Sequence, residues 1–238
     1  MRLSYDLDDQ PARPGLGLIV LGVDETVEDD FRRLIPADRA RLFHTRIESA
    51  PNLTAETIPL MAGRLTAAAA LLPRAAGLNV IGYACTSGAT LLGERTVTDL
   101  VNAAHPGVQV TDPLGALKAA CRATGIRRLG LVSPYVAAVS DALVGALTDD
   151  GITVGCVATF DQEEERLVAR ISPASIRQAL LRVGADPACD AVFASCTNLR
   201  AVEVLDDARH ELGKPVLASN QVLAWHMARL AGIGTSTP

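Results

Sequence analysis

Aromatic residues are scarce in this chain, at 3% of 238 residues, whereas hydrophobic residues make up 49%. A buried core must therefore be built from alanine, valine, leucine and isoleucine. The longest apolar stretch, residues 65–72, is far shorter than the roughly 20 residues of a membrane-spanning helix. The first nine residues are polar and acidic, unlike a secretory signal. These features predict a cytoplasmic protein without a membrane partner.

Basic charge, histidine and paired cysteines are also lacking. A net charge of -5 leaves no general basic surface for nucleic acid. The four histidines are scattered and none has zinc-ligand spacing from a cysteine, so no metal is expected. The five cysteines form no Cys-x-x-Cys pair, and their odd number favours a reducing compartment. No Gly-x-Gly-x-x-Gly follows the first apolar run, which argues against a Rossmann-type nucleotide enzyme.

Short apolar runs alternate along the chain with longer segments at helical spacing. Continuous apolar runs of this kind are typical of parallel strands buried on both faces. The predicted strands are 16–21, 80–84, 129–132, 152–158, 191–194 and 216–218. The predicted helices are 54–72, 113–124, 134–149, 173–183, 199–212 and 221–230. This alternation predicts an α/β fold with parallel sheets.

One pattern occurs twice. Residues 80–87 read VIGYACTS and residues 191–198 read AVFASCTN, each an apolar strand that ends in a cysteine before a predicted helix. Cys85 and Cys196 are 111 residues apart, close to half the chain. The repeat predicts two related α/β lobes that face each other, with one cysteine from each. Both cysteines follow strands, where open α/β sheets bind their ligands.

The position of these cysteines predicts their chemistry. A cysteine that opens a helix lies in the field of the helix N-terminus, which lowers its pKa. Free N–H groups there can hold a carboxylate, together with the polar residues that follow each cysteine, namely Thr86, Ser87, Thr197 and Asn198. Two such thiols could move a proton from one face of a substrate to the other, or one could add to a double bond while the other handles the proton. Neither route requires a cofactor.

The remaining cysteines are predicted to be small core residues. Cys121 lies within a predicted helix, Cys156 within a strand and Cys189 just before one. Tyr135 is a further candidate, because Ser-Pro-Tyr at 133–135 follows a predicted strand. Its hydroxyl is expected at the same edge as the two cysteines, where it would bind substrate.

Four motifs together resemble the aspartate/glutamate racemase superfamily. They are YACTSG at 83–88, SPY at 133–135, SCTNLR at 195–200 and SNQ at 219–221. Within the superfamily, the chain is similar to the branch of maleate cis–trans isomerase and arylmalonate decarboxylase, and most of all to the racemase-like protein of ectoine-utilisation operons. The resemblance implies two pseudo-symmetric Rossmann-like lobes around one active site, in a homo-oligomer. Residues 1–114 plus 215–238 would form the first lobe and residues 115–214 the second.

The resemblance also implies residue roles. In maleate isomerase the first cysteine attacks the alkene and the second handles the proton, so Cys85 would be the nucleophile and Cys196 the general acid/base. Tyr135 would bind a substrate carboxylate. Arylmalonate decarboxylase lacks the first cysteine, so Cys85 argues against that activity. A decarboxylase that uses Cys196 alone and a non-catalytic binder of small ligands stay open as alternatives.

One position departs from the family pattern. Maleate isomerases carry a Pro-Ser-Ser-Asn-Thr type of loop after the first strand, whereas residues 21–26 read LGVDET here, with Asp24 at the asparagine position. A carboxylate repels a dicarboxylate substrate and suits an ammonium group. Asp24 therefore shifts the expected substrate from maleate towards an amino acid or an N-acylated diamino acid, such as an ectoine breakdown product. The alternative is that Asp24 only caps the helix starting near Glu25.

Overall fold

The computed structural model describes residues 1–7, 13–52 and 54–234, which contain two four-stranded parallel sheets. The strands of the first sheet are β1 (Gly15–Leu21), β2 (Arg41–Ile47), β3 (Leu78–Ala84) and β4 (Gln109–Thr111), in the order β2-β1-β3-β4. Those of the second are β5 (Arg128–Ser133), β6 (Thr153–Thr159), β7 (Ala191–Ala194) and β8 (Val216–Ala218), in the order β6-β5-β7-β8. The predicted α/β class with parallel sheets is confirmed.

Helices connect the strands. They are α1 (Val27–Leu34), α2 (Ala62–Ala70), α3 (Thr86–Leu92), α4 (Glu94–Ala104), α5 (Pro113–Thr124), α6 (Ala137–Asp149), α7 (Glu165–Val168), α8 (Pro173–Gly184), α9 (Leu205–Leu212) and α10 (Ser219–Leu230). Within the described ranges, no helix has both the length and the apolar character that crossing a membrane requires.

Burial explains which strands the sequence predicts. Every residue of β1, β7 and β8 is buried, so these strands read as continuous apolar runs. The edge strand β2 mixes exposed and buried positions and reads RLFHTRI, which hides it from a search for apolar runs. The three-residue strand β4 is missed for the same reason, since only its last residue is buried.

Three predicted helices differ from the observed ones. Residues 54–72 form a short 3-10 turn, Ile58–Met61, followed by α2 rather than one long helix. Helix α6 begins three residues later than predicted, which leaves Tyr135 in the loop before it. Helix α9 begins at Leu205 instead of 199.

The last strand belongs to the second sheet. β8 pairs with β7 in parallel, with Val192 opposite Val216, so the prediction that residues from 215 onward join the first lobe is wrong for this strand. Helix α10 packs on both halves. Its Trp225 joins the core around α5 and the second sheet, whereas Met227 joins the core of β1 and β3. A Cβ at Gly82 of β3 would lie 2.5 Å from the Met227 sulfur, so this close approach requires glycine.

Candidate active site

Cys85 follows β3 and is the N-cap of α3. Its extended backbone (φ −152°) lets the thiol sulfur accept the N–H of Gly88 at 3.1 Å, and Ser87 Oγ lies 3.6 Å from the same sulfur. A Cβ at position 88 would lie 2.9 Å from this sulfur and 2.5 Å from the Tyr83 hydroxyl. Gly88 therefore makes room for the thiol at the helix start.

Cys196 follows β7 but opens no helix. Its φ of +131° lies in the region that side-chain-bearing residues rarely adopt, and such backbone strain is often found at functional sites. Its N–H donates to Ser219 Oγ at 3.0 Å, and its sulfur accepts the N–H of Asn198 at 3.4 Å. The expected helix N-terminus at this cysteine is absent, because turns and a 3-10 segment, Val202–Val204, precede α9.

Hydrogen bonds join the two cysteine motifs across the junction of the lobes. Thr86 Oγ1 lies 2.8 Å from Ser219 Oγ, the same atom that accepts the N–H of Cys196. Thr197 donates from its hydroxyl to the carbonyl of Ala84 at 3.3 Å. The carboxyl ends of β3 and β7 therefore meet, as the repeated pattern predicts.

The phenol of Tyr135 lies beside both thiols. Tyr135 is 3% exposed and follows β5. Burial raises its pKa well above the usual value, and Cys196 and Cys85 raise it further. Conversely, the Tyr135 phenol lowers the pKa of the Cys196 thiol. Both thiols thus influence the same buried phenol electrostatically.

Burial sets the protonation of the two thiols. It raises the pKa of Cys85 to about 12, although hydrogen bonds from Ser87 and Gly88 act in the opposite direction. Burial raises the pKa of Cys196 well above the usual value, and the carboxyl of Glu165 adds to this effect. The prediction of lowered thiol pKa values is wrong for this state, because the desolvation of a buried thiolate outweighs the favourable contacts.

Glu165, which sequence reasoning misses, lies at the centre of the site. It is the first residue of α7 and is 3% exposed. Its Oε2 accepts a hydrogen bond from Asn198 Nδ2 at 2.8 Å. Burial raises its pKa to about 7, opposed by this hydrogen bond and assisted by Asp24. Three consecutive glutamates occupy positions 163–165, and nothing in that run marks which one points inward.

Asp24 is buried beside this group. Its Oδ1 accepts the N–H groups of Thr26 at 2.8 Å and Val27 at 2.9 Å, so it caps α1. Its Oδ2 is buried and has no hydrogen-bond partner in the described part of the chain. Burial raises the pKa of Asp24, while its backbone hydrogen bonds, Thr197 and Arg46 lower it. One oxygen thus caps the helix and the other is free for a ligand.

Asn198 has protein partners on both amide atoms. Its Oδ1 accepts the N–H of Glu25 at 2.9 Å, and its Nδ2 donates to the carbonyl and to Oε2 of Glu165. An amide nitrogen carries two donors, and both are used here. In this structure Asn198 positions Glu165 and has no N–H left for a substrate.

The other three cysteines lie away from these contacts. Cys121 is buried in α5, Cys189 is buried ahead of β7, and Cys156 is half-buried in β6. No group of three or more potential metal-binding side chains occurs within the described ranges.

A cavity of about 350 Å³ opens beside the site. Asp24 and Arg46 line it from the first lobe, and Arg166 lines it from the second. Next to the cavity, a backbone hydrogen bond joins two distant segments of the chain: the N–H of Glu165 donates to the carbonyl of Pro51 at 3.1 Å. Asp24 is therefore the buried carboxyl that lies at the wall of this cavity.

The fold and site define a class: an α/β protein of two lobes with a buried two-cysteine site where they meet. The chain belongs to the arylmalonate decarboxylase family, whose family model matches residues 17–238. The predicted branch of the superfamily is confirmed.

Known proteins of two activities are similar to this chain. The arylmalonate decarboxylase of Bordetella bronchiseptica is 28% identical over 130 residues, so the match spans about half of each protein, 54%. The structure of a maleate isomerase from Pseudomonas putida has a TM-score of 0.85 at 21% identity, over 94% of this chain and 95% of that one. A cysteine-to-serine mutant of the Nocardia farcinica maleate cis–trans isomerase, with a covalently bound succinylcysteine intermediate, also reaches 0.85 at 21% identity, over 93% of this chain and 94% of that one. At these identities the structural likeness establishes the fold.

Proposed function

We propose that the protein is a cofactor-independent isomerase or racemase that acts on a small carboxylic or amino acid with Cys85 and Cys196. The observation that carries this proposal is the pair of buried thiols at equivalent strand ends, both beside the phenol of Tyr135. Two acid–base groups from opposite lobes are what a proton transfer across a substrate requires.

Two reaction courses use this pair. In a racemisation, one thiolate removes the α-proton and the other thiol protonates the opposite face of the planar intermediate. In a cis–trans isomerisation, the thiolate form of Cys85 bonds to one alkene carbon as the carbon–carbon π bond breaks, and the thiol of Cys196 gives its proton to the other carbon. The former carbon–carbon double bond is now a single bond, and rotation about it follows. The reverse elimination then releases the substrate from Cys85 and returns the proton to Cys196. The succinylcysteine intermediate of the Nocardia enzyme favours the second course for an alkene substrate.

Several polar groups are candidates for holding the substrate carboxylate. Thr86, Ser87 and Tyr135 carry buried hydroxyls next to the thiols, and the hydroxyl of Thr197 lies near Asp24. Hydroxyl and N–H donors suit a carboxylate because each makes a charge-assisted hydrogen bond. Asn198 acts here through Glu165 rather than on the substrate.

Decarboxylation with Cys196 as proton donor is the second candidate. The family model and the partial match to the Bordetella enzyme favour it. The buried Cys85 counts against it, since a decarboxylase needs only one proton donor for the carbanion that loss of carbon dioxide leaves. An ectoine-derived substrate and a homo-oligomer stay as predictions from the resemblance, and a cytoplasmic location stays as a prediction from the sequence features.

An NMR screen in deuterium oxide tests these alternatives together. The substrates offered are maleate, aspartate, hydantoins, phenylmalonate and ectoine-derived amino acids. Deuterium exchange at an α-carbon supports a racemase, conversion of maleate to fumarate supports an isomerase, and release of carbon dioxide supports the decarboxylase. A complete absence of turnover, with ligand binding intact, would instead support the non-catalytic binder.

A further inference from the structure

We infer that Glu165 and Asp24 together form a subsite for a positively charged group of the substrate. The substrate class is then an amino-substituted carboxylic acid rather than a dicarboxylate. This inference rests on the proposed function, whose substrate class it narrows.

The two carboxyls come from opposite lobes and are tied to one side chain. Asp24 lies in the loop between β1 and α1, and Glu165 begins α7; each is 3% exposed. The Asn198 amide donates to Glu165 at 2.8 Å and accepts from the N–H of Glu25, the residue next to Asp24. The proximity of the carboxyls also appears in their electrostatics, because Asp24 raises the pKa of Glu165.

One oxygen of the Asp24–Glu165 pair has no hydrogen-bond donor in the described ranges, which points to a ligand at this place. Oδ1 of Asp24 is used by the cap of α1, but Oδ2 is buried without a hydrogen-bond donor in the described ranges. A buried carboxylate oxygen is costly unless a donor or cation meets it. Thr197, the nearest hydroxyl that favours its charge, donates instead to the carbonyl of Ala84.

Arg46 and Arg166 line the cavity beside Asp24, but their guanidinium groups are not bonded to the two carboxyls. Arg46 is the one basic residue that lowers the pKa of Asp24, yet its Nη1 donates to the carbonyl of Asp24 at 3.0 Å and its Nη2 pairs with Glu28. In the described part of the chain, no basic side chain forms a hydrogen bond or ion pair with either carboxyl. A substrate ammonium would complete the charge balance, whereas a second carboxylate of a substrate would be repelled.

A bound cation would also lower the pKa of the two thiols. Glu165 raises the pKa of both Cys85 and Cys196, and Asp24 raises that of Cys196. A positive charge next to the carboxyls offsets this effect and favours a thiolate. Substrates that lack the charge would therefore meet two neutral thiols.

The direction in which binding affinity changes with pH distinguishes a cationic ligand from an anionic one. Glu165, with a pKa of about 7, is largely protonated one unit below that pH and largely ionised one unit above it. An ammonium ligand favours the ionised carboxyl, so it releases a proton on binding and binds more tightly as the pH rises. A dicarboxylate behaves in the opposite way. The charged and titratable groups around the two carboxyls include Asp30 of α1, Arg46 of β2, Cys85, Tyr135 and Cys196. Glu25, Glu164 and Arg166 line the cavity beside Asp24 as well.

Isothermal titration calorimetry tests the inference. The ligands are methylammonium, D- and L-aspartate and 2,4-diaminobutyrate, with maleate and succinate as dicarboxylates without an amine. Titrations one pH unit below and above the Glu165 pKa of about 7, in two buffers of different ionisation enthalpy, give affinity and proton release. We expect 2,4-diaminobutyrate to bind up to about tenfold more tightly at the higher pH, since the ionised fraction of Glu165 rises by about that factor between one unit below and one unit above its pKa.

Variants make the result specific. Glu165→Gln keeps an oxygen for Asn198 but removes the charge, so it is expected to abolish proton release and the pH dependence. Glu163→Gln, an exposed glutamate two residues away, is the matched control and is expected to leave both unchanged. Thermal unfolding verifies that each variant folds. Should Glu165→Gln fail to fold, Asp24→Asn and the pH dependence of binding to the native protein still test whether the carboxyls bind a cation.

Three outcomes would overturn the inference. They are tighter binding of maleate or succinate than of every amine, binding of an amine that Glu165→Gln leaves unchanged, and no binding of any amine at millimolar concentration. Because these experiments measure binding and not turnover, such a result would not contradict the two-thiol reaction, which the cysteine variants test separately.

Discussion

The two cysteine motifs share a sequence pattern but not a chemical environment. Cys85 caps a helix, and its sulfur receives hydrogen bonds from Gly88 and Ser87. Cys196 sits at a φ of +131° without a following helix and lies among the carboxyls of Glu165 and Asp24. Donors favour a thiolate and carboxyls disfavour it. The comparison therefore favours Cys85 as the nucleophile and Cys196 as the group that retains its proton.

Among the residues around the two thiols, removing the Tyr135 hydroxyl is expected to have the largest effect. We predict that Tyr135→Phe lowers kcat by about 10²-fold or more, the range for a lost hydrogen-bond donor at a reacting centre. Steady-state kinetics on the substrate found in the NMR screen measures this. Tyr5→Phe, on an exposed tyrosine, is the control. An unchanged kcat in Tyr135→Phe would remove the phenol from the account.

The acidic surroundings of Cys196 predict an unusual pH dependence of stability. The folded pKa of Glu165, about 7, is above its ordinary value of 4.5, so the folded state binds the proton more tightly than the unfolded state. The stabilisation is therefore complete below the unfolded pKa and is lost as the pH rises towards the folded pKa. We expect Glu165→Gln to remove a pH-dependent contribution of up to about 3 kcal/mol to the free energy of unfolding. Urea unfolding at about pH 5 and about pH 8 measures it.

The control for this experiment is Glu163→Gln, whose side chain is exposed. If Glu165→Gln and Glu163→Gln had the same pH profile as the native protein, Glu165 would titrate as an ordinary surface carboxyl. Its assignment to the environment of Cys196 would then be wrong.

The link between the two motifs can be weakened at Ser219. Its hydroxyl is fully buried, accepts the N–H of Cys196 and contacts Thr86. Ser219→Ala leaves both groups without this partner, so we expect a loss of about 1–3 kcal/mol in the free energy of unfolding. Urea unfolding checks this against Ser175→Ala, which removes an exposed hydroxyl. Equal stability of the two variants would argue against a structural tie at this point.

The smallest expected effect concerns alkylation. Lowered pKa values at Cys85 and Cys196, as their predicted place before helices indicates, would make these two thiols react fastest with iodoacetamide. Both thiols are instead buried with raised pKa values, while Cys156 is half-buried. We now expect Cys156 to be labelled first at neutral pH, and Cys85 before Cys196 as the pH rises. Mass-spectrometric mapping over time measures the order, and rapid labelling of Cys196 would contradict its assignment as the protonated thiol.

The sequence predicts the buried parts of this fold better than its edges. All six predicted strands are present. Five of them are mostly buried and leave an apolar run, and the edge strand β6 has such a run although none of its residues is buried. Edge strands β2 and β4 leave no such run. The sheet that β8 joins is decided by tertiary pairing with β7, which no local pattern encodes.

The candidate site likewise has parts that local sequence predicts and parts that depend on the assembled fold. The strand ends of Cys85 and Cys196 are local features, so the repeated pattern finds them. Glu165 enters the site only because the chain between β6 and α7 crosses towards Pro51, a contact between distant segments. The raised thiol pKa values come from burial by both lobes, and this is likewise a property of the assembled fold.

The most direct test of the two-thiol account is turnover in single cysteine variants. Once the NMR screen in deuterium oxide has found a substrate, Cys85→Ala and Cys196→Ala are compared with Cys121→Ala, a buried cysteine of α5. The account predicts that each of the first two loses about 10²- to 10⁴-fold in kcat, the contribution typical of a positioned acid–base group, and that Cys121→Ala keeps its activity. Full activity in Cys85→Ala with loss in Cys196→Ala would contradict the account and assign a single-thiol reaction.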